Sequence, residues 1–169
     1  GGTSKTISTG GSNYFYNVII NDNADYGLST TNLDVNGFLK IYSGATLNIS
    51  SGDNLKLAGD FEIYSTFTTT DETITLDGSG AQTLFHPSNP NTTGHSNSSV
   101  NVVINKSSGT ATLGQDLSIN DFTITDGTFT FSTSSTPTLT TSGSADLNAG
   151  TLTFVSNSIF DANGNFDAT

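Results

Sequence analysis

The chain has 169 residues and a formal net charge of −11 at pH 7, with only 4 Lys and Arg residues in total and no Cys. This balance excludes the cationic clusters that nucleic acids and anionic membrane surfaces require, and the missing Cys excludes disulfides and thiolate metal sites. No apolar run approaches the roughly 20 residues of a membrane-spanning helix. The sequence therefore predicts neither a nucleic-acid partner nor membrane insertion.

The composition favours ordered β-structure. Hydrophobic residues make up 33% of the chain and charged residues only 11%. Disordered segments combine low hydrophobicity with abundant charge, whereas the polar residues of this chain are mostly uncharged. Its apolar residues are mostly β-branched or aromatic, and they alternate with Thr, Ser, Asn and Asp, which is typical of strands.

The first half of the chain begins with small polar residues at 1–13, which we interpret as a linker or a frayed first coil. From residue 14 onward, short runs alternate apolar and polar side chains with a period of two, and Gly, Asn and Asp separate the runs. This combination predicts an all-β fold. The period predicts that one face of the first run carries Tyr14, Tyr16, Val18 and Ile20. Residues 14–84 form the first predicted β-helical repeat.

The alternation stops at residues 85–99, which contain two prolines and no apolar period. Proline lacks the donor that an internal strand needs, so we interpret this segment as an inserted loop. The alternation resumes at Val100 without a change in composition. Residues 100–169 form the second predicted β-helical repeat.

An internal echo links the two halves. Residues 17–21 (NVIIN) return as 101–105 (NVVIN), and residues 33–38 (LDVNGF) return as 117–122 (LSINDF), each 84 positions later. A repeat of this kind indicates stacked units rather than one globule. The short strands favour a β-solenoid with coils of roughly 20 residues, and parallel crossovers are nearly always right-handed. We therefore predict a right-handed parallel β-helix, with an antiparallel two-sheet β-sandwich as the alternative.

The strings "NVVIN…GTATLGQDLSINDFTITDGTF" and "LDVNGFLKIYSGATLNISSG" resemble the repeats of long microbial surface proteins of the filamentous-haemagglutinin or adhesin type. The resemblance covers most of residues 13–153. It implies a right-handed β-helix exposed on the cell surface, outside the cell, and it brings no catalytic residues. We interpret the chain as a processed or excised piece of something longer.

One turn near the end of the sequence resembles the start of a calcium loop. Carboxylate and amide oxygens at alternate positions are typical Ca²⁺ ligands, and here they belong to Asp161, Asn163, Asn165 and Asp167. Phe166 stands where a calcium loop has Gly, and no Glu follows as a bidentate ligand. The alternative is a corner with outward Asp and Asn. A weaker echo comprises Asn21, Asn23 and Asp25. Calcium is the only cofactor that the sequence suggests.

Catalysis has no support in the sequence, and we predict that the protein is not an enzyme. Asp71-Glu72 is interpreted as a polar corner, and His86 and His95 as solvated loop residues. No Gly-x-Ser-x-Gly elbow is present. Within the predicted loop, Asn91 and Asn97 head Asn-x-Ser/Thr sequons and are the candidate glycosylation sites.

The predicted function is structural: a segment of an extracellular surface protein or filament that stacks end to end through its open β-helix ends. An open solenoid leaves strand edges unpaired, and head-to-tail contacts propagate into filaments. The first coil, near residues 14–20, would meet the last, near 154–166, in a homopolymer or a neighbouring repeat. The candidate self-association residues are Tyr14, Tyr16, Ile159 and Phe160.

Two alternative functions remain open. The first is an adhesin module that binds glycan or another surface along a coil face, through residues 85–99 or through a strip of Tyr side chains; Tyr is also common in cross-strand pairs. The second is an ice-binding solenoid. Thr-x-Thr recurs at residues 66–68, 73–75, 123–125, 128–130, 138–140 and 151–153. Their spacing along the chain is irregular, and Thr suits any exposed strand position.

Overall fold

The computed structural model describes residues 5–7, 14–21, 25–28, 32–49, 52–64, 72–86 and 95–169. All regular structure in these residues is β, in short strands separated by turns and bends. Most strands have three or four residues, and Gly, Asn or Asp in the turns ends many of the short alternating runs. The all-β prediction is confirmed.

The strands in chain order are β1 (Lys5–Ile7), β2 (Val18–Ile20), β3 (Asp25–Leu28), β4 (Asn32–Val35), β5 (Leu39–Ile41), β6 (Thr46–Asn48), β7 (Asn54–Leu57), β8 (Phe61–Ile63), β9 (Thr73–Leu76), β10 (Gln82–Leu84), β11 (His95–Ser96), β12 (Asn101–Leu113), β13 (Leu117–Ile119), β14 (Phe122–Phe131), β15 (Thr138–Thr141), β16 (Ala145–Leu147), β17 (Thr151–Thr153), β18 (Ile159–Ala162) and β19 (Phe166–Ala168).

The described strands fall into three parallel stacks. Stack 1 contains β1, β3 and β6 in one sheet and β11, β13, β15 and β18 in another. Stack 2 contains β4, β7, β9, the first parts of β12 and β14, β16 and β19. Stack 3 contains β2, β5, β8, β10, the second parts of β12 and β14, and β17. Since these pairs are parallel and join successive turns, the fold is a β-solenoid, and the antiparallel sandwich is excluded.

The registers give the length of each turn. Lys5 pairs with Tyr26 and Leu39 with Phe61, which agrees with the roughly 20 residues per coil predicted from the sequence. One turn is longer, because Thr73 pairs with Asn101. The extra length falls where an inserted loop was predicted, at 85–99. Of that segment, residues 87–94 lie outside the described part, whereas His95–Ser96 forms β11.

The core consists of ladders of inward side chains, one from each turn. In stack 2 the registers align one such ladder, which runs through Val35, Leu57, Leu76, Ile104, Ile124 and Leu147. All of these except the half-buried Leu147 are buried. Burying one such side chain contributes about 1.5–3 kcal/mol, so the ladders dominate the stability. Phenylalanines fill the later turns, with Phe129 lying 4.9 Å from Phe122 and 5.8 Å from Phe131 between ring centroids.

Residues that match at a separation of 84 do not occupy equivalent positions in their turns. Residues 18–20 form β2 in stack 3, but the matching residues 102–104 lie in stack 2. Likewise, residues 33–35 of β4 lie in stack 2, and residues 117–119 form β13 in stack 1. The sequence therefore repeats a strand-and-corner unit, of which each turn contains three, rather than the turn itself.

The first predicted run also divides at a corner. Phe15 pairs with the buried Val35 and points inward, so Tyr14 and Tyr16 point outward. Val18 pairs with Leu39 and points inward in the next stack. The prediction that these tyrosines share a face with Val18 and Ile20 is wrong, because the corner at residues 16–17 restarts the alternation on a new face.

Candidate functional site

The last turn exposes aromatic residues that belong to the core ladders. Phe166 pairs with the buried Ala145, and Phe160 pairs with the buried Leu139, so both rings point inward. Phe154 stacks on Phe131 with 5.6 Å between centroids. No described strand covers these rings on their other side, and Phe154 and Phe166 are 55% and 54% exposed. We call Phe154, Phe160 and Phe166 the aromatic end.

The first two turns present a partly apolar opening at the other end. The inward residues Ile7, Phe15, Val18 and Tyr26 are only partly buried, although they pack against the core. Together with neighbouring residues they line a cavity of about 430 Å³. This opening also carries a positive charge, because Lys5 pairs with Tyr26 and its Nζ donates to the Tyr26 hydroxyl at 3.2 Å.

The structure divides the predicted self-association residues into two groups. Phe160 is part of the aromatic end and contacts Phe166 at 5.9 Å between centroids. Ile159, in contrast, pairs with Thr138 and points outward, as Tyr14 and Tyr16 do. The sequence predicts Phe154 and Phe166 only as the limits of the last coil, and not as contact residues. The inward alternation from Leu152 to Phe154 was the signal that could have identified the first of them.

Stack 3 carries an ordered grid of threonines. Thr110 pairs with Thr128 and Thr128 with Thr151, while Thr112 pairs with Thr130 and Thr130 with Thr153. The residues between them are Ala111, Phe129 and Leu152, which are buried or half-buried, so the threonines point outward. We call these six residues the threonine grid. It has a spacing of about 4.8 Å between turns and about 6.6 Å along each strand.

The threonine grid unites two of the Thr-x-Thr segments found in the sequence with a third that was missed, at residues 110–112. Thr83 extends one column, since it pairs with Thr112. The segments at 73–75, 123–125 and 138–140 lie in other stacks. Residues 66–68 fall outside the described residues.

The earlier turns of stack 3 carry a charged and aromatic cluster. Lys40 forms an ion pair of 2.9 Å with Glu62, and the Tyr64 hydroxyl donates to Glu62 Oε2 at 2.7 Å. The hydrogen bond to Glu62 raises the pKa values of both Lys40 and Tyr64. Burial alone would raise the pKa of Glu62, but the bonds from Tyr64 and Lys40 outweigh it and lower that pKa. Tyr42 stacks on Tyr64 at 5.3 Å, so these two tyrosines form a cross-strand pair.

The four predicted calcium ligands lie around the corner between β18 and β19. Asp161 and Asp167 are exposed on strands of different stacks, opposite Thr140 and Asp146. The backbone N–H of Asn163 donates to Thr141, and the Asn165 carbonyl accepts from Ala145. Among the described residues, no group of three His, Cys, Asp or Glu could hold a metal. The calcium site stays a prediction. Of the weaker set, Asn21 and Asp25 are exposed and Asn23 lies outside the described residues.

The remaining polar candidates have different environments. Asn97 is half-buried in a turn, where its Oδ1 accepts from the Ser99 N–H at 3.1 Å, and Asn91 is outside the described residues. His86 is exposed, as predicted for a solvated loop. Glu72 is buried rather than at a polar corner. Across the described residues, no helix has the length and apolarity to cross a bilayer.

His95 is not the solvated loop residue that the sequence predicts. It is buried in β11, with its ring 3.9 Å from that of Phe85. Burial lowers its pKa to about 4, against a smaller opposing effect of a hydrogen bond with Gln115. The prediction failed because the chain returns to stack 1 at residue 95, inside the segment assigned to the loop.

The class of protein that this geometry defines is a three-stack parallel β-solenoid with an open aromatic end and a threonine grid on the later turns of one stack. No protein-family model, curated protein or solved structure matches the chain.

Proposed function

We propose that the chain is a non-enzymatic structural segment of an extracellular surface protein or filament, in which solenoids stack end to end. The observation that supports this proposal is the aromatic end, where the inward Phe154 and Phe166 are more than half exposed. Each inner turn already buries such residues against the next turn. A second copy that continues the same parallel pairing would bury Phe154 and Phe166 in the same way.

The partner surface of this contact is the first turn of the second copy. Its inward residues Phe15 and Val18 are half-buried and line the cavity described above. Aromatic rings from one end would enter this cavity, and unpaired strand edges would pair. Because the two surfaces differ, the contact is heterologous and propagates into a filament.

The test is to replace Phe166 with Asp, which places a charge in the proposed contact without disturbing a fully buried site. We expect the wild-type chain to form fibres with an axial repeat of about 4.8 Å, seen by electron microscopy and diffraction, and Phe166→Asp to stay monomeric. Ser156→Asp is the control, because it adds the same charge at an exposed turn residue of the same end. Circular dichroism verifies that both variants are folded. Fibres formed equally by Phe166→Asp would exclude this interface, and a wild-type chain that stays monomeric would refute stacking of copies.

A second candidate function, ice binding, is favoured by the threonine grid. Six outward hydroxyls and methyls in two straight columns form a regular, rigid surface, and such a surface can order water in a repeating array. We expect the wild-type protein to inhibit ice recrystallisation. Thr128→Tyr, in the middle row of the grid, should abolish the effect, whereas Thr140→Tyr, outward on stack 1, should retain it. Absence of inhibition by the wild-type protein, or equal inhibition by Thr128→Tyr, would contradict ice binding.

A further inference from the structure

A buried amine contacts a buried amide at the bend of β12. Lys106 is 0% exposed, and its Nζ donates to the Gly78 carbonyl at 2.6 Å and to Gln82 Oε1. Gln82 is 2% exposed. Its Nε2 donates to the carbonyls of Leu57 and Gly59, each at 2.8 Å. Every polar atom of the Gln82 side chain is therefore held, and Lys106 is fixed beside it.

The contact brings a nucleophile next to an electrophilic carbon. Because Lys106 Nζ touches Oε1, it lies beside Cδ, the carbon to which that oxygen is bonded. Lys and Gln are on successive turns, so the fold rather than chain proximity joins them. Two reacting groups held in this way gain a large effective concentration.

The surroundings favour the protonation states that acyl transfer needs. Burial lowers the pKa of Lys106, with Asp77 acting in the opposite direction, and a neutral amine is the nucleophilic form. Burial also raises the pKa of Asp77, an effect to which the Asp34 charge adds. Asp77 directly precedes Gly78, whose carbonyl holds the amine. The charge of Asp77 acts on the pKa of Lys106, and we therefore assign its carboxyl to move the proton.

We propose that Lys106 and Gln82 form an intramolecular isopeptide bond. Nζ of the neutral amine attacks Cδ, so an Nζ–Cδ bond forms and the Cδ–Nε2 bond breaks. One proton passes from Nζ to the departing nitrogen, with the Asp77 carboxyl as the carrier, and ammonia leaves. The reaction has no redox change and requires no co-reactant. Its product joins β10 covalently to β12 on the next turn. This bond would prevent the two turns from separating under mechanical force.

Intact-mass spectrometry of the denatured wild-type chain tests the proposal. We expect a mass lower than the sequence mass by one ammonia, and fragment spectra in which residues 82 and 106 are joined. Lys106→Met should have its full sequence mass, and so should Asp77→Asn if Asp77 carries the proton. Lys56→Met is the matched control, because Lys56 is exposed, and it should keep the ammonia loss. A wild-type chain with its full mass, or an ammonia loss that maps to an Asn-Gly pair and persists in Lys106→Met, would overturn the crosslink. The wild-type result decides the matter even if a variant fails to fold.

Discussion

Gly78→Ala should be among the most destabilising single substitutions in this chain. A Cβ on Gly78 would overlap the carbonyl oxygen and carbon of Ala58, which is the corner residue of the preceding turn. Backbone atoms of a stacked turn cannot move aside as a flexible side chain does. The turns must separate locally, which loosens the adjacent ladders and displaces the carbonyl that accepts from Lys106. Overpacking costs about 1–3 kcal/mol, and we expect the upper end of that range.

Gly80→Ala is the matched control, because it adds the same methyl two residues away. A Cβ there meets no atom within 4 Å. We expect little loss, or a gain of about 0.4–1 kcal/mol from the reduced entropy of the unfolded chain. Urea unfolding of the two variants gives the comparison. Equal stabilities would show that the turns do not pack as closely as the corner geometry requires.

Acid should destabilise the fold through His95. Its pKa is about 4 in the folded chain, against 6.5 for a free His. Between these values the unfolded chain binds a proton that the folded chain does not, so the free energy of unfolding falls as the pH falls from about 7 to 4. One pKa unit corresponds to about 1.36 kcal/mol. The full effect is therefore on the order of 3 kcal/mol.

The measurement is urea unfolding at pH 7.5 and pH 4.5 for the wild-type chain, His95→Leu and His86→Asn. The carboxylates are common to all three proteins, and His86 is the smallest of the causes that lower the pKa of Glu62, so the difference between His95→Leu and the wild type isolates the imidazole. We expect His95→Leu to lose less stability on acidification than the wild type, and His86→Asn, which changes an exposed residue, to behave as the wild type. The same pH dependence in His95→Leu would show that His95 is protonated in the folded state without cost.

The alternation of apolar and polar residues predicted the fold, because the core of a solenoid is built mainly from the inward side chains of short alternating strands. Leu55 and Leu57, or Phe61 and Ile63, point inward wherever the chain runs straight between corners. The alternation between inward and outward side chains does not continue through the corners. Tyr16 and Val18 have the spacing of one face, yet a bend between them separates the stacks. Alternation alone does not tell where a strand ends and the next face begins.

The surfaces were harder to predict, since they depend on register. Thr128 is 18 positions after Thr110 and 23 before Thr151, yet all three are in one column. Corners and loops of different length absorb the difference, so the spacing along the chain does not indicate alignment. The sequence also does not indicate that Lys106 is buried, because a lone Lys in a polar run is ordinarily solvated. Only the packing of one turn on the next shows that it is buried.

The three-stack architecture has a consequence for how the molecule can grow. Each turn contacts only the turns before and after it, so the stability is close to a sum of nearest-neighbour terms. Adding or deleting an inner turn leaves every other interface unchanged. Duplication or deletion of a turn can therefore change the length of the rod while the remaining turns keep their packing. Unfolding should begin at the end turn that is least covered and proceed inward.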